Sequence, residues 1–500
     1  MIPIMHNRLS PILAILAGWI AQTVYAEPMD EEGAIARAAK NNPDLRAALL
    51  DLRSARQAEA AAEAEYVPVV RITPGVTHSE TPNATVEGVT TGSSEAVDVG
   101  LGLAHRLSWG TQLSIDVTGS AGMRRGVNPQ VTTRETVELG PTYGLEARAG
   151  VSQPLLRDAG NDVGEASLRS AQSRRRGAEH GRDKIASELL RDVLSGYWEL
   201  WYCDSALQVY VRDREVALQQ YTEAQQRVDL GTIAASDALS YATGLASLDE
   251  SLEQSRATYR GAAIDLGRLL GIDPESASRL EIEPPADVLL SQMTPEQAAE
   301  RARKSSEELR EIETEIEVAR EQVRVADDAS QARLDLDAYV SARGLGYQDA
   351  VDPLEQVGTL SAVSAHLGLT FEFPFSNVQR RSQLAKARLD LEAARARFEA
   401  RARQIEANAA KQVEQLRAAS QRVVLAQRTV GVAQQLAAAE SERFEIGTAT
   451  PLQVLQAQED LRGAELRHAK ARADQAKAAF ALLHLTADLL SRYADYMKGL

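Results

Sequence analysis

Two stretches of about 65 residues carry an unbroken helical seam, and no compact domain has room for a helix that long. The first runs from about Gly164 to Leu230. Leu189, Val193, Gly196, Leu200, Cys203, Leu207 and Tyr210 step by fours and threes, and Ala217, Tyr221, Ala224 and Val228 continue the stripe. The second runs from about Ser382 to Ile446, through Leu384, Ala387, Leu391, Ala394, Phe398, Ala402, Ile405, Ala409, Val413 and Leu416. This is heptad spacing. At 1.5 Å per residue each helix is about 100 Å long. Many seam positions are Ala, so neighbouring helices can approach closely.

Each long helix stops at a similar sequence. Arg227-Val228-Asp229-Leu230-Gly231-Thr232 and Arg443-Phe444-Glu445-Ile446-Gly447-Thr448 align without gaps at an offset of 216. Gly supplies the left-handed residue that ends a helix. A nearby Ser or Thr caps the next helix, and Pro451 suits a first turn. The reading is two tight helical hairpins, with return helices over about Ser236–Leu270 and Pro451–Leu490. The starts of the halves also align: Leu45 with Leu309, and Val69-Val70-Arg71-Ile72 with Arg333-Leu334-Asp335-Leu336, at an offset of 264. The chain is expected to hold two repeats, residues 27–270 and 295–490. A Pro- and acid-rich linker over 271–294 separates them and a short tail, 491–500, follows.

Between the helices the period switches to two. Val97, Val99, Leu101, Leu103 and Leu107 alternate with small or polar residues, as do Leu113, Ile115 and Val117, then Leu145, Ala147, Ala149 and Val151. In the second half Val363, Ala365, Leu367, Leu369, Phe371 and Phe373 do the same. A barrel strand in lipid around a wet lumen needs this pattern, and a half-buried strand of a soluble sandwich shows it too. The first 26 residues favour the barrel. Arg8, an apolar run Leu9–Ile20 and Val24-Tyr25-Ala26 have the form of an export signal with its cleavage site. No Cys follows that site, so no lipid anchor is expected. No later stretch reaches the 18 apolar residues of a membrane-spanning helix. An exported chain of this kind resides in a membrane only as a barrel.

Other classes find little support. A formal charge of -16 repels phosphate backbones, so nucleic acid is not an expected partner. The sequence holds no Walker loop, H-E-x-x-H, G-x-S-x-G or paired Cys-x-x-Cys. The histidines have no metal-ligand spacing, and Cys203 sits on an apolar helix face as a small core residue. No enzyme activity, metal or cofactor is expected.

Signal segment, duplicated helix–strand–helix halves and paired Gly-Thr turns together resemble the TolC-like outer membrane efflux proteins. The most specific pieces are Leu230-Gly231-Thr232 with Asp237, and Ile446-Gly447-Thr448 with Pro451-Leu452-Gln453-Val454-Leu455. Gln153-Pro154-Leu155-Leu156 and Phe373-Pro374-Phe375 resemble the family's strand-to-helix junctions. The resemblance implies a mainly α chain with a membrane β-barrel portion. A homotrimer would share one barrel among outer membrane lipids, continued by a long periplasmic α-helical tunnel. It also implies that Leu230, Gly231, Thr232, Ile446, Gly447, Thr448 and Pro451 form a periplasmic tip. That tip would dock a periplasmic adaptor coupled to an inner membrane pump of the RND, ABC or MFS type. The chain would then be the exit duct of a tripartite efflux or type I secretion system.

Two departures stand out. Where relatives carry a carboxylate ring after the second tip turn, this chain has Gln453 and Gln456; only Asp237 of the first repeat is acidic. Asp237 reads equally as a gate residue or as a helix-start carboxylate favoured by the helix dipole. Residues 97–107 and 111–118, flanking Ser108-Trp109-Gly110, look like a strand pair beyond the usual two per half. That pair either enlarges the barrel or sits outside it. The main alternative is a trimeric coiled-coil surface or periplasmic structural protein, which would need neither repeats nor strands. A periplasmic adaptor is a further one.

Overall fold

The computed structural model describes residues 28–85, 88–127, 136–286, 292–373 and 375–495. The signal segment and Pro374 lie outside the described residues, as do parts of the linker, of the tail and of the segments 81–95 and 123–137. In chain order the elements are α1 (Glu31–Asn41), α2 (Pro43–Ala64), β1 (Val69–Thr85), β2 (Gly88–Arg106), β3 (Gln112–Val127) and β4 (Thr136–Pro154). Then come α3 (Asn161–Gly164), α4 (Ala166–Asp229), α5 (Ala235–Leu269), α6 (Pro274–Ala277), α7 (Pro295–Ser305) and α8 (Glu307–Ala329). The chain ends with β5 (Arg333–Tyr347), α9 (Asp352–Gly358), β6 (Val363–Glu372), α10 (Val378–Glu445), α11 (Pro451–Leu485) and α12 (Asp488–Arg492). No described helix is long and apolar enough to cross a membrane.

The expected long helices are α4 and α10, of 64 and 68 residues. The return helices are α5 and α11. The last was expected to reach Leu490 but stops at Leu485. Thr486 turns its hydroxyl back to the Leu482 carbonyl at 3.1 Å and to the Asp488 carboxylate at 2.8 Å. Ala487 then takes a left-handed φ of 58°, and α12 starts anew. The strands run further than the alternation reached. Much of 81–95 and 123–137, where no alternation shows, continues as β1–β2 and β3–β4 pairing. A ladder needs no apolar face where water wets both sides, so the pattern fades before the strand ends.

The chain divides into two compact units. One comprises Ala39–Asp192, Leu289–Val423 and Asp474–Leu500. It holds a six-stranded antiparallel sheet in the order β1-β2-β3-β4-β5-β6. Below the sheet, α8 lies along the first part of α4. Arg169–Glu321, Arg176–Glu317, His180–Glu307 and Lys184–Glu311 pair along the seam. Arg401 of α10 grips Glu308 at 2.8 Å through both Nε and Nη2. Ala298, Ala302, Leu309, Ala402, Ile405 and Ala409 are buried in this unit, small residues letting the helix backbones close up. Thr294 and Gln297 form a capping box at the start of α7.

The other unit comprises the described part of Met1–Ala38 with Val193–Val288 and Val424–Ala473. Its anchor is Tyr197, fully buried, whose hydroxyl reaches the carbonyls of Met29 at 2.9 Å and Glu283 at 2.8 Å. Those carbonyls flank the parallel bridge Met29–Ile282, which ties the start of the chain to the segment after α6. Leu194, Leu200, Leu266 and Leu270 are fully buried in the same unit. A Cβ at Gly196 would stand 3.4 Å from Leu266, so a small residue sets this helix spacing.

Candidate functional site

The sheet has two unlike faces, fixed by register. On one, Val70, Ile72 and Val76 of β1 stand beside Leu103, Leu101 and Val97 of β2. Leu101 and Leu103 continue to Val117 and Ile115 of β3, and those to Ala147 and Ala149 of β4. Ala149 meets Val340 of β5, and β6 completes the band with Ala365, Leu367, Leu369 and Phe371. Most of its large members are open to the surroundings, among them Ile72 at 66%, Leu101 at 49%, Ile115 at 52% and Leu367 at 74%. An apolar band of this extent is not a surface that water tolerates.

The opposite face is polar on all six strands. Arg71, Asp98, Asp116, Glu146, Arg148, Asp335, Asp337, Arg343 and His366 lie on it. Ser152 donates to Asp337 at 2.7 Å, and Arg343 reaches Glu146 at 3.2 Å. The Arg148 guanidinium lies 4.0 Å over the Tyr339 ring, which stacks in turn on His366 at 5.0 Å. A Cβ at Gly75 or Gly102 would run into the carboxylates of Asp98 or Asp116. Glycine there makes room for charge on the polar face.

The sheet joins the helices at tightly built corners. After Pro154, the Leu155 amide donates to the Leu334 carbonyl at 2.7 Å. Asp158 takes a left-handed φ of 65°, and its amide donates to the Asp328 carboxylate at 2.9 Å. Burial of that carboxyl pushes its pKa up, and the Asp158 amide only partly opposes the rise.

The two Gly-Thr turns are built alike. Gly231 has φ 72° and Gly447 φ 79°. The Gly231 amide donates to the Val228 carbonyl at 2.9 Å and the Thr232 amide to the Arg227 carbonyl at 2.9 Å. Gly447 and Thr448 repeat this with Phe444 at 3.0 Å and Arg443 at 2.8 Å. This is a Schellman stop with glycine in the left-handed position. The threonine hydroxyls add a second bond to the same carbonyls, at 2.9 and 3.0 Å. The Arg227 guanidinium stands 5.6 Å from the Phe444 ring, linking the turns. Leu230, Ile446 and Leu452 are more than two-thirds exposed.

The gate candidates occupy different settings. Asp237 sits half-buried in the first turn of α5, its amide on the Ala234 carbonyl at 3.0 Å. The Gln453 side-chain oxygen accepts the Thr450 amide at 2.7 Å, so it closes the start of its own helix. Gln456 donates to Asp460 at 3.3 Å. The sequence reading passed over Asp460, which places an exposed carboxylate one turn beyond the two glutamines.

It also missed the charged groove that joins the two hairpins. A cavity of about 510 Å³ lies among Ala217, Leu248, Ala437 and Leu461, rimmed by charge. Arg212 pairs with both Glu465 and Asp213, and Arg462 stands 3.7 Å from Asp213. Burial raises the Asp213 pKa against the pull of Arg212 and Arg462. For Arg212, burial favours loss of the charge, but bonding to Glu465 outweighs it and the pKa rises. Partners some 250 residues apart leave no local sequence signal. No cluster of metal-binding side chains occurs among the described residues.

A comparison of the sequence with curated proteins finds no match. The fold resembles solved outer membrane channels over nearly the whole chain. CmeC of Campylobacter jejuni is 12% identical with a TM-score of 0.69, covering 94% of this chain and 89% of its own. VceC of Vibrio cholerae is 16% identical with a TM-score of 0.66, covering 91% and 95%. OprN is 18% identical with a TM-score of 0.65, covering 91% and 89%. Residues 298–488 match the outer membrane efflux protein family. The chain thus carries that family's signature through most of its second half, on the fold of the TolC-like outer membrane channels.

Proposed function

We propose that this chain is the outer membrane exit duct of a tripartite efflux or type I secretion system. The observation that carries the proposal is the sheet. One face is apolar on all six strands and largely exposed, the other is charged, and β1 and β6 are open edges. Lipid on one side and water on the other suit such a sheet. An open edge is not tolerated in hydrocarbon, so copies must close it. A homotrimer does so by joining β6 of each protomer to β1 of the next, and the two repeats of each protomer both feed strands into the wall.

The helical hairpins would lie in the periplasm, with Leu230, Ile446 and Leu452 at the tip as apolar contacts for an adaptor. The tip turns have rigid stops and exposed side chains, which suits docking. Energy for transport would come from the inner membrane pump.

Purification from outer membrane fractions followed by planar bilayer recording tests the reading. Heat-modifiable trimers that open ion-conducting channels are expected. Recovery in the soluble periplasmic fraction with no channel activity would refute it and favour a trimeric coiled-coil structural protein.

A further inference from the structure

We infer that the β2–β3 hairpin is a full part of the membrane wall, so that three copies of the six-stranded sheet close an eighteen-stranded barrel. The inference rests on the duct reading and deepens it by setting the width of the exit.

Three observations carry it. First, the hairpin is interior to the sheet. β2 is paired along Val69–Thr85 of β1, and β3 along most of β4 from Thr136 to Ser152. It cannot fold away from the wall without taking β1, one of the two edges, with it.

Second, its apolar side chains stand level with those of the other strands. Leu101, Leu103, Ile115 and Leu113 share one row system with Ile72 and Val70 on one side and with Ala147, Ala149 and Val151 on the other. The polar residues Asp98 and Asp116 fall on the same face as Glu146, Arg148 and Asp337. A hairpin outside the membrane would have no reason to match the band strand for strand.

Third, its lower turn is locked to the corner where the chain leaves the sheet. The Leu107 amide donates to the Thr111 carbonyl at 2.8 Å, and the Gly160 amide to the Trp109 carbonyl at 3.1 Å. Any Cβ at Gly164 would fall on the Ser108 carbonyl oxygen, and one at Gly110, where φ is 94°, would meet the Asp158 carbonyl. Two glycines let turn and corner touch backbone to backbone.

Strand parity agrees. Six strands alternate in direction, so β6 of one copy meets β1 of the next antiparallel, as an even-numbered barrel requires. Strands about 4.8 Å apart, tilted by about 45°, make an eighteen-stranded wall roughly 39 Å across, against roughly 26 Å for twelve strands. The outer mouth is then about half as wide again.

The test uses the full chain with Cys203→Ala, spin-labelled singly at Leu101→Cys, Ile115→Cys or Leu367→Cys and reconstituted in liposomes. All three labels should be accessible to oxygen and shielded from a water-soluble nickel chelate. Leu367 in lipid with Leu101 and Ile115 in water would overturn the eighteen-stranded wall and leave the duct standing. All three in water would sink the duct reading itself. Electron microscopy of the full-length trimer in lipid nanodiscs gives an independent measure. A barrel near 39 Å supports the inference and one near 26 Å overturns it.

Discussion

The side-chain oxygen of Gln453 accepts the backbone amide proton of Thr450 at 2.7 Å. The Thr450 hydroxyl adds a bond to the same oxygen at 3.1 Å, and Pro451 follows as the first helical residue. Gln453 therefore starts α11 before it can do anything at a pore. Loss of such a cap costs about 1 kcal/mol. Glutamate would keep the cap, because Glu serves at this position as well as Gln.

This separates charge from structure at the gate. Gln453→Glu should leave trimer stability unchanged and strengthen block by multivalent cations, most at low ionic strength. Gln453→Ala should lower stability and leave block unaltered. Single-channel recording with melting of the trimer reads both. Equal block in Gln453→Glu and the parent would place the constriction elsewhere.

A Ser/Thr cap before Pro451 was legible, but Gln453 read only as a gate candidate, although its spacing from Thr450 is that of a capping box. The long helices and their turns were legible because seam, glycine and threonine act within one turn of each other. The strands were legible as starts but not as lengths. Val69-Val70-Arg71-Ile72 matches Arg333-Leu334-Asp335-Leu336 and marks where β1 opens, but beyond Val76 its residues are mostly polar, so its full extent hid in the sequence. Tyr197 with Met29 and Glu283, and Arg212 with Glu465, depend on partners far along the chain. No local pattern announces them.

Gly231 and Gly447 hold φ values of 72° and 79° at the two stops. Valine resists that region, and each replacement should cost about 1–3 kcal/mol locally. Nothing lies within 4 Å of where a Cβ would stand, so the cost is backbone strain and not collision. The double variant Gly231→Val, Gly447→Val should still form trimers and insert, but lose export. Export by cells carrying the cognate pump, with the trimer quantified in outer membranes, checks this. Normal export would count against the tip as the docking point.

The Asp213 carboxylate ties α4 to α11 through Arg462, and Arg212 ties the same helices through Glu465. These links cross the groove between the hairpins, so weakening them should let the hairpins part. Asp213→Asn removes one charge and keeps the shape, at a cost of about 1 kcal/mol per protomer. Conductance in bilayers should rise and its ionic-strength dependence fall. Unchanged conductance in Asp213→Asn combined with Glu465→Gln would show that the groove does not restrain the channel.

His484 offers a pH test of the helical packing beside the sheet. Its Nδ1 lies 2.8 Å from the Ser187 hydroxyl oxygen, deep between α4 and α11. Burial, aided by Arg191, lowers its pKa from 6.5 to about 4, while Asp192 and Glu308 pull the other way. The folded chain therefore keeps this ring neutral where the unfolded chain protonates it. Above about pH 6.5 both states are neutral and stability does not depend on the group. As pH falls from about 6.5 to about 4, the unfolded state takes up the proton first, and stability is lost progressively. Below about 4 both are charged and the loss levels off. The full drop is about 3 kcal/mol per protomer, from the displacement of the pKa. His484→Gln keeps a hydrogen-bonding partner for Ser187 and removes the titration. Thermal melting of detergent-solubilised trimers across this window should show the parent falling steeply and the Gln variant falling less. Parallel curves would mean that His484 is solvated in the assembled protein and that the acid sensitivity has another source.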